Sequence, residues 1–247
     1  MPPRPVLIMA VLLFGAVLLI RLPAHWLAGL LPATVECRSP TGTVWRGQCA
    51  EFKVAARTLH NLNWKLRPTR LLGAHLVADI GLDDALASGS GTVAVGLNGA
   101  IDIEALQLRL PLRNGLLPAI NDWNGVIEAA VPALSLRQAT PTAWQGELRL
   151  LDLTRTADGV SFGSFRWQPT LDGSANRLAG PVSSLPGDAS GALRISGTLA
   201  VGFKGDYNLD ARIAPGRSAS EALIKALGIF GTADAEGNHP VFVGGKF

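Results

Sequence analysis

The sequence contains few of the residues from which enzymes build active sites. Its 247 residues include four histidines, two cysteines and one tyrosine, and only 17% of them are charged. No two histidines stand four positions apart, and the cysteines do not form a Cys-x-x-Cys pair, so no zinc-ligand spacing is present. A Walker loop and a dinucleotide-binding glycine motif are also missing. These absences predict a protein without catalytic residues, bound metal or cofactor.

One short motif matches a sequence pattern of hydrolases. Residues 159–163 read Gly-Val-Ser-Phe-Gly and match the G-x-S-x-G elbow, which needs a helix directly after its serine. Here Asp158-Gly159 is typical of a hairpin turn, and Phe165 and Trp167 continue with the period of a strand. We therefore expect a turn at this point, and we predict that the protein is not an enzyme.

The excess of positive over negative charge is also small, with a formal net charge of +3. Nucleic-acid binding needs a clustered basic face, so we expect none. One basic cluster occurs, with no acidic residue between Glu51 and Asp79. Its members are Lys53, Arg57, Lys65, Arg67 and Arg70. Two interpretations stay open: solvated strand and loop positions, or a docking patch for anionic lipid or an acidic partner.

The N-terminus has a long apolar run, with no charge from Pro5 to Ile20 and an arginine on each side. A cleaved signal peptide would need a small-x-small site, and none follows. Residues 24–31 extend the run if the Arg21 side chain reaches back to the interface, and Trp26 suits an interfacial anchor. We predict a cytoplasmic stub and transmembrane signal anchor over residues 1–31, and a β-rich domain over residues 34–247 on the far side of the membrane, which is the periplasm if the source is a Gram-negative bacterium.

The body of the chain has the period of β-strands. Leu62, Trp64 and Leu66 alternate with polar residues, and the two alternating runs at 191–203 and 207–213 predict a hairpin. The alternation slips by one residue near Glu104-Ala105 and again within residues 146–153, which requires local irregularities. We therefore predict a mainly β fold, a curved antiparallel sheet with an open-groove or sandwich-like form.

Three further elements are expected towards the C-terminus. Residues 173–191 are rich in Ala, Gly, Ser and Pro and predict a long loop. Ser218 and Glu221 form a capping box that predicts the start of one short helix, with Gly228 and Gly231 as its stops. A last strand is expected at residues 240–247.

The segment TGTVWRGQCAEF, residues 41–52, contains one of the two cysteines. Three states of the pair stay open: a disulfide between Cys37 and Cys49 across the first hairpin, two free structural thiols, or a reactive thiol. The alternation of residues 51–54 predicts that the segment is the second arm of this hairpin, with Trp45 as its core anchor.

Four features, taken in order, resemble one family, protein N of the bacterial type II secretion system. The first is the apolar N-terminus, which ends in the segment Arg21-Leu22-Pro23-Ala24. The second is a Gly-Thr-x-Trp-x-Gly step made by Gly42, Thr43, Trp45 and Gly47. The third is a strand and its continuation marked by Leu62, Trp64, Leu66, Pro68, Leu71 and Leu72. The fourth is a C-terminal block of residues 191–197, the short helix from Ser218, and residues 240–246.

This resemblance implies an accessory, non-enzymatic subunit of the secretion apparatus. Its expected partners are the secretin, inner-membrane platform or coupling proteins, besides the inner membrane itself. The family pattern carries no catalytic residues and does not include the cysteines. The alternative function is a periplasmic lipid- or apolar-ligand-binding groove of the AsmA or lipopolysaccharide-transport type, which a long sheet with one apolar face would suit.

Overall fold

The protein is described by a computed structural model over residues 9, 13–15, 17–28, 35–54, 57–112, 122–138, 140–188 and 191–246. The chain divides into two compact units, Met1–Asn98 and Gly99–Phe247. Each unit is built mainly from antiparallel strands. The mainly β, antiparallel prediction is therefore confirmed.

In the part of the first unit that the structure describes, five strands pair in chain order. They are β1 (Val35–Gly42), β2 (Arg46–Val54), β3 (Arg57–Leu66), β4 (His75–Asp83) and β5 (Ser88–Gly96). A 3₁₀ helix, Pro68–Gly73, connects β3 to β4. The predicted apolar side of β3 is confirmed, because Leu66 is buried and Trp64 is half-buried while Asn63 and Lys65 between them are exposed.

The N-terminal residues 13–15 and 17–20 are helical, and the chain then turns at Arg21. A separate short helix, His25–Ala28, follows the extended residues 22–23. The helix is thus interrupted between Ile20 and His25, and a continuous apolar helix through Arg21 is not what these residues form. Within the described segments, no helix has the length and apolar character needed to cross a membrane. The predicted anchor over residues 1–31 falls partly outside those segments and stays a prediction.

The described residues of the second unit form nine strands. They are β6 (Ala100–Pro111), β7 (Trp123–Arg137), β8 (Thr140–Arg155), β9 (Ser161–Trp167), β10 (Thr170–Asp172), β11 (Arg177–Ser184), β12 (Leu193–Gly202), β13 (Asp206–Pro215) and β14 (His239–Lys246). The order is β6-β7-β8-β9-β11-β12-β13-β14, and β10 pairs with β11 beside this path. The predicted hairpin is confirmed as β12–β13, and the predicted last strand is confirmed as β14.

Both predicted slips in the alternation are confirmed, and each coincides with a residue in the left-handed region. Ala105 has a φ of 51°, yet the pairing of its neighbours to β7 keeps one register, so no residue is inserted. Asp152 also has a φ of 51°, and here the register does shift between β8 and β9. A left-handed residue reverses the side-chain alternation, which lets apolar residues of both parities face the same side.

Two expectations for the second unit are wrong. The loop predicted for residues 173–191 contains β11, which pairs with β9 on one side and β12 on the other. Pairing on both sides outweighs the weak strand propensity of its Gly180 and Pro181. The short C-terminal helix exists as Glu221–Leu227, but its N-cap is Ser220, whose hydroxyl accepts from the Leu223 N–H at 3.2 Å. Ser218 therefore does not cap it.

Candidate functional site

The tip of the first hairpin is fixed by a glycine with positive φ and by specific hydrogen bonds. Gly42 ends β1 with a φ of 91°, and a Cβ atom there would lie 2.6 Å from the Arg46 carbonyl oxygen, so only glycine fits. The Thr43 N–H donates to that carbonyl at 2.9 Å, and the Thr43 hydroxyl accepts from the Arg46 N–H at 3.2 Å. These bonds close the turn between β1 and β2.

The residues after the N-terminal helix are bonded to this tip. The Ala24 N–H donates to the Gly42 carbonyl at 3.2 Å, and the Val44 N–H donates to the Leu22 carbonyl at 2.9 Å. Pro23 forms an isolated antiparallel bridge with Thr43, and Ala24 is only 2% exposed. Residues 22–24 therefore add a short strand segment to the hairpin tip.

Trp45 connects the tip to the helix itself. Its indole N–H donates to the Leu19 carbonyl at 2.7 Å. In a continuous helix this carbonyl would accept from residue 23, but that residue is Pro23 and has no N–H. The Leu22 N–H reaches the same oxygen only at 3.4 Å. The indole thus supplies the donor that the proline removes, at a helix end where carbonyls otherwise lack partners.

A second tryptophan holds the tip against β3. The Trp64 indole N–H donates to the Val44 carbonyl at 3.0 Å, and the Leu66 N–H donates to the Trp45 carbonyl at 2.8 Å. Any Cβ atom on Gly47 would overlap the Trp64 ring. The prediction that residues 41–52 form the second arm of the hairpin is confirmed from Arg46 onward, where β2 pairs with β1. Trp45 precedes the strand, lies in the turn and is only half-buried, so it is not the predicted core anchor.

The two cysteines are joined in a disulfide, with an S–S distance of 2.10 Å, and Cys49 is fully buried. The register places Cys37 opposite Phe52 and Cys49 opposite Pro40. In a regular strand, positions 37 and 40 would face opposite sides of the sheet. Ser39, with a φ of 55°, breaks the alternation between them and brings both sulfur atoms to one side.

The structure separates the five residues of the predicted docking patch. Lys53 and Arg57 lie at the β2–β3 turn end, where Lys53 is opposite Thr58, whereas Lys65 lies at the other end of β3, opposite Arg46. Seven residues of strand between positions 58 and 65 correspond to about 23 Å. Arg70 belongs to the 3₁₀ helix. Of the Arg57 side chain nothing is described.

Arg67 is neutralised within the first unit. Its guanidinium donates to both carboxylate oxygens of Asp79, at 2.9 and 2.7 Å, and the Thr92 hydroxyl donates to the same carboxylate at 2.8 Å. The hydrogen bonds from Arg67 and then from Thr92 lower the pKa of Asp79 below its ordinary value. The carboxylate therefore stays ionised at neutral pH and pairs with Arg67, and a docking role for the five basic residues stays a prediction.

The remaining sequence candidates do not assemble a catalytic or metal centre. Asp158-Gly159 forms the predicted turn, with a φ of 68° at Gly159, and Ser161 then opens β9 as part of a strand. No group of three or more His, Cys, Asp or Glu side chains with metal-site geometry occurs in the ranges that the structure describes.

Comparisons with known proteins identify the family of the chain. The sequence profile of type II secretion system protein N matches residues 33–241. The chain belongs to this family. A protein from Vibrio cholerae, "Type II secretion system protein N", is 30% identical over 187 residues, which is 70% of this chain and 65% of that protein. The chain thus spans just under two thirds of this relative's length. No solved structure matches the chain significantly.

In this member of the protein N family, the structure explains the residues of the Gly-Thr-x-Trp-x-Gly step. Gly42 and Gly47 leave room for the Arg46 carbonyl and the Trp64 ring, and Thr43 closes the turn. The contact from Trp45 to Leu19 was missed from the sequence. The sequence does contain one signal for this contact. Pro23 lies four residues after Leu19 and has no N–H, so the Leu19 carbonyl lacks its helical donor. The family match does not support the alternative of a lipid- or apolar-ligand-binding groove.

Proposed function

We propose that this protein is a non-enzymatic accessory subunit of the type II secretion apparatus. It would link inner-membrane components to periplasmic or outer-membrane components through protein–protein contacts. Membership of the protein N family supports a role in this system. The residues of the hairpin tip serve backbone geometry and hydrogen bonds to the N-terminal segment, which supports a structural role rather than a chemical one.

We propose a single-pass topology, with the N-terminus in the cytoplasm and residues 34–247 in the periplasm. The described helical residues Leu13, Phe14 and 17–20 each leave between 51% and 66% of their surface uncovered, although all are apolar. A helix that is apolar all round needs a membrane or another protein to cover it. The disulfide supports an oxidising compartment for the strands.

The observation that carries the proposal is the bond from Trp45 to Leu19, together with the backbone bonds from residues 22–24 to the tip. A domain on a flexible tether would move independently of its anchor. Here the helix end and the first hairpin are joined at three points, so a partner that contacts the helix in the membrane would also orient the hairpin.

The other end of the chain offers a surface for a periplasmic partner. β14 is paired only with β13 among the described strands, and Phe242 on it is 75% exposed. Pro240 and Lys246 protect the two ends of this strand, and residues 241–245 between them contain neither a charge nor a proline. We propose that a secretin, inner-membrane platform or coupling protein adds a strand along β14.

A photo-crosslinking residue tests this proposal in the native strain. The crosslinker is placed at Phe242 and, as a matched control, at Leu97, an apolar turn residue that is 90% exposed. We expect secretion subunits to be recovered by mass spectrometry from the Phe242 variant and not from the Leu97 variant. Recovery of no secretion subunit from either position would contradict the proposed role. The substitution Ser161→Ala is expected to leave secretion unchanged. A loss of secretion in this variant would contradict the non-enzymatic assignment.

A further inference from the structure

One face of β2, β3 and β4 presents a cluster of hydrogen-bond donors. Arg46 lies directly opposite Lys65, and two residues further along the strands Gln48 lies directly opposite Asn63. Residues two apart on a strand face the same side. The four side chains therefore form a two-by-two array that we call the donor array, defined by Arg46, Gln48, Asn63 and Lys65.

The two cations of the donor array face each other, and Asp79, whose carboxylate is hydrogen-bonded to Arg67, lies opposite Lys65 and interacts with its charge. Like charges directly opposite on paired strands destabilise the pair. Within the part of the chain that the structure describes, neither Arg46 nor Lys65 forms an ion pair. The Asp79 oxygens accept instead from Arg67 and Thr92. Arg46, Lys65 and Arg67 against Asp79 leave a net charge of +2 at neutral pH.

A cleft of about 750 Å³ accompanies this array. Its lining includes all four residues of the array, the acidic residue Asp79, Ser90 and the glycines at positions 42, 47 and 81. A Cβ atom on Gly81 would lie 2.7 Å from the Asn63 side-chain oxygen. Glycine at this position therefore leaves room for the Asn63 amide to lie over β4. The volume is in the range of sites for small organic ligands.

The cleft lies beside the junction with the N-terminal helix. Gly42, which lines it, accepts from the Ala24 N–H, and Arg46 directly follows the tryptophan that is bonded to Leu19. A group that lies at the end of a membrane-inserted helix is at the level of the lipid headgroups. The donor array is thus positioned for an anion at the membrane surface.

We propose that the donor array binds the phosphate of an anionic phospholipid in the membrane that holds the N-terminal helix. A guanidinium matches a phosphate with two parallel hydrogen bonds, an ammonium adds a point charge, and the two amides supply neutral N–H donors. The contact is to the headgroup and involves no carriage of acyl chains. The inference rests on the membrane topology in the proposed function.

Lipid retention by the full chain tests the inference. The protein is purified in zwitterionic micelles, titrated with phosphatidylglycerol, phosphatidylcholine or inorganic phosphate, and examined by native mass spectrometry. The test variant is Arg46→Gln with Lys65→Gln. The matched control is Arg38→Gln with Lys53→Gln, which removes two cations from the same unit, and Arg38 there lies only at 4.0 Å from Glu51.

We expect phosphatidylglycerol to bind the wild type and the control variant in preference to phosphatidylcholine. The test variant should bind it about 30-fold more weakly, since each cation near a lipid surface contributes about a fivefold gain. Equal retention by all three proteins would overturn the inference, because the lipid would then be held by the apolar helix. Binding of inorganic phosphate without preference for the lipid would also overturn it. The measurement needs no partner subunit, so its failure is distinguishable from failure of the crosslinking test.

Discussion

The hairpin that opens the first unit and the hairpin β12–β13 of the second unit are stabilised in different ways. The first is interrupted at Ser39, is cross-linked by Cys37–Cys49, and has its tip bonded through Trp45 and Trp64. The second pairs without interruption from Leu193 opposite Pro215 to Val201 opposite Tyr207. A regular ladder needs no side-chain bonds, whereas a broken one depends on a few specific groups that fix its geometry.

Loss of the disulfide should have the largest effect, and it should be confined to the first hairpin. Replacing both cysteines by alanine is expected to destabilise residues 35–54 by about 3 kcal/mol, because the bond restricts the unfolded chain. Amide hydrogen exchange should therefore accelerate in β1 and β2 by about 150-fold. Unchanged exchange there, or equal acceleration in β12 and β13, would contradict this difference between the two hairpins.

A methyl group at Gly197 should damage the second hairpin instead. Gly197 lies opposite Ala211, and an added Cβ atom would overlap the backbone of residues 210–211. We expect Gly197→Ala to cost about 1–3 kcal/mol in the free energy of unfolding, measured by chemical denaturation. The control is Gly228→Ala, where nothing lies within 4 Å and φ is −59°, and which should be neutral or slightly stabilising. Similar losses in both variants would show that the overlap is not the cause.

Removal of one indole N–H should loosen the junction without changing its shape. Trp45→Phe keeps a ring of similar character but loses the donor to Leu19, at an expected cost of about 1 kcal/mol. Trp144→Phe is the matched control, because the buried Trp144 N–H has no hydrogen-bond partner within the described residues. Faster amide exchange at residues 21–24 is expected in the first variant only. Equal exchange rates in both variants would mean that the indole hydrogen bond does not stabilise residues 21–24.

The smallest effect concerns pH and β4. Because the folded-state pKa of Asp79 is lowered, chiefly by Arg67, its ionised form stabilises the fold above the ordinary value of 3.8. That stabilisation is lost as the pH falls below 3.8 through the folded-state pKa. The protection of β3 and β4 against amide exchange, relative to the intrinsic exchange rate at each pH, should therefore fall at low pH in the wild type and less so in Asp79→Asn. Identical pH profiles would contradict the role given to Asp79, which is partly screened by solvent.

Much of the strand pattern was predictable because alternation is a local property of the chain. Leu62, Trp64 and Leu66 gave β3, and two runs with a short glycine-containing turn gave β12–β13. The slips at Ala105 and Asp152 could also be located, since a change of parity marks them. The prediction failed at β11, because Gly180 and Pro181 weaken the local signal and only neighbours on both sides make it a strand.

The sequence alone determined the mainly β class, the turn at Asp158-Gly159 and the residues of the family motif. Each depends on neighbours in the chain, where backbone preference and side-chain period act directly. Only the tertiary structure decided that Trp45 bonds to Leu19, that Asp79 neutralises Arg67 and that Arg46 faces Lys65. These contacts join residues 12 to 26 positions apart, so they follow from strand register and from the packing of the turn on the helix, neither of which a period of two specifies.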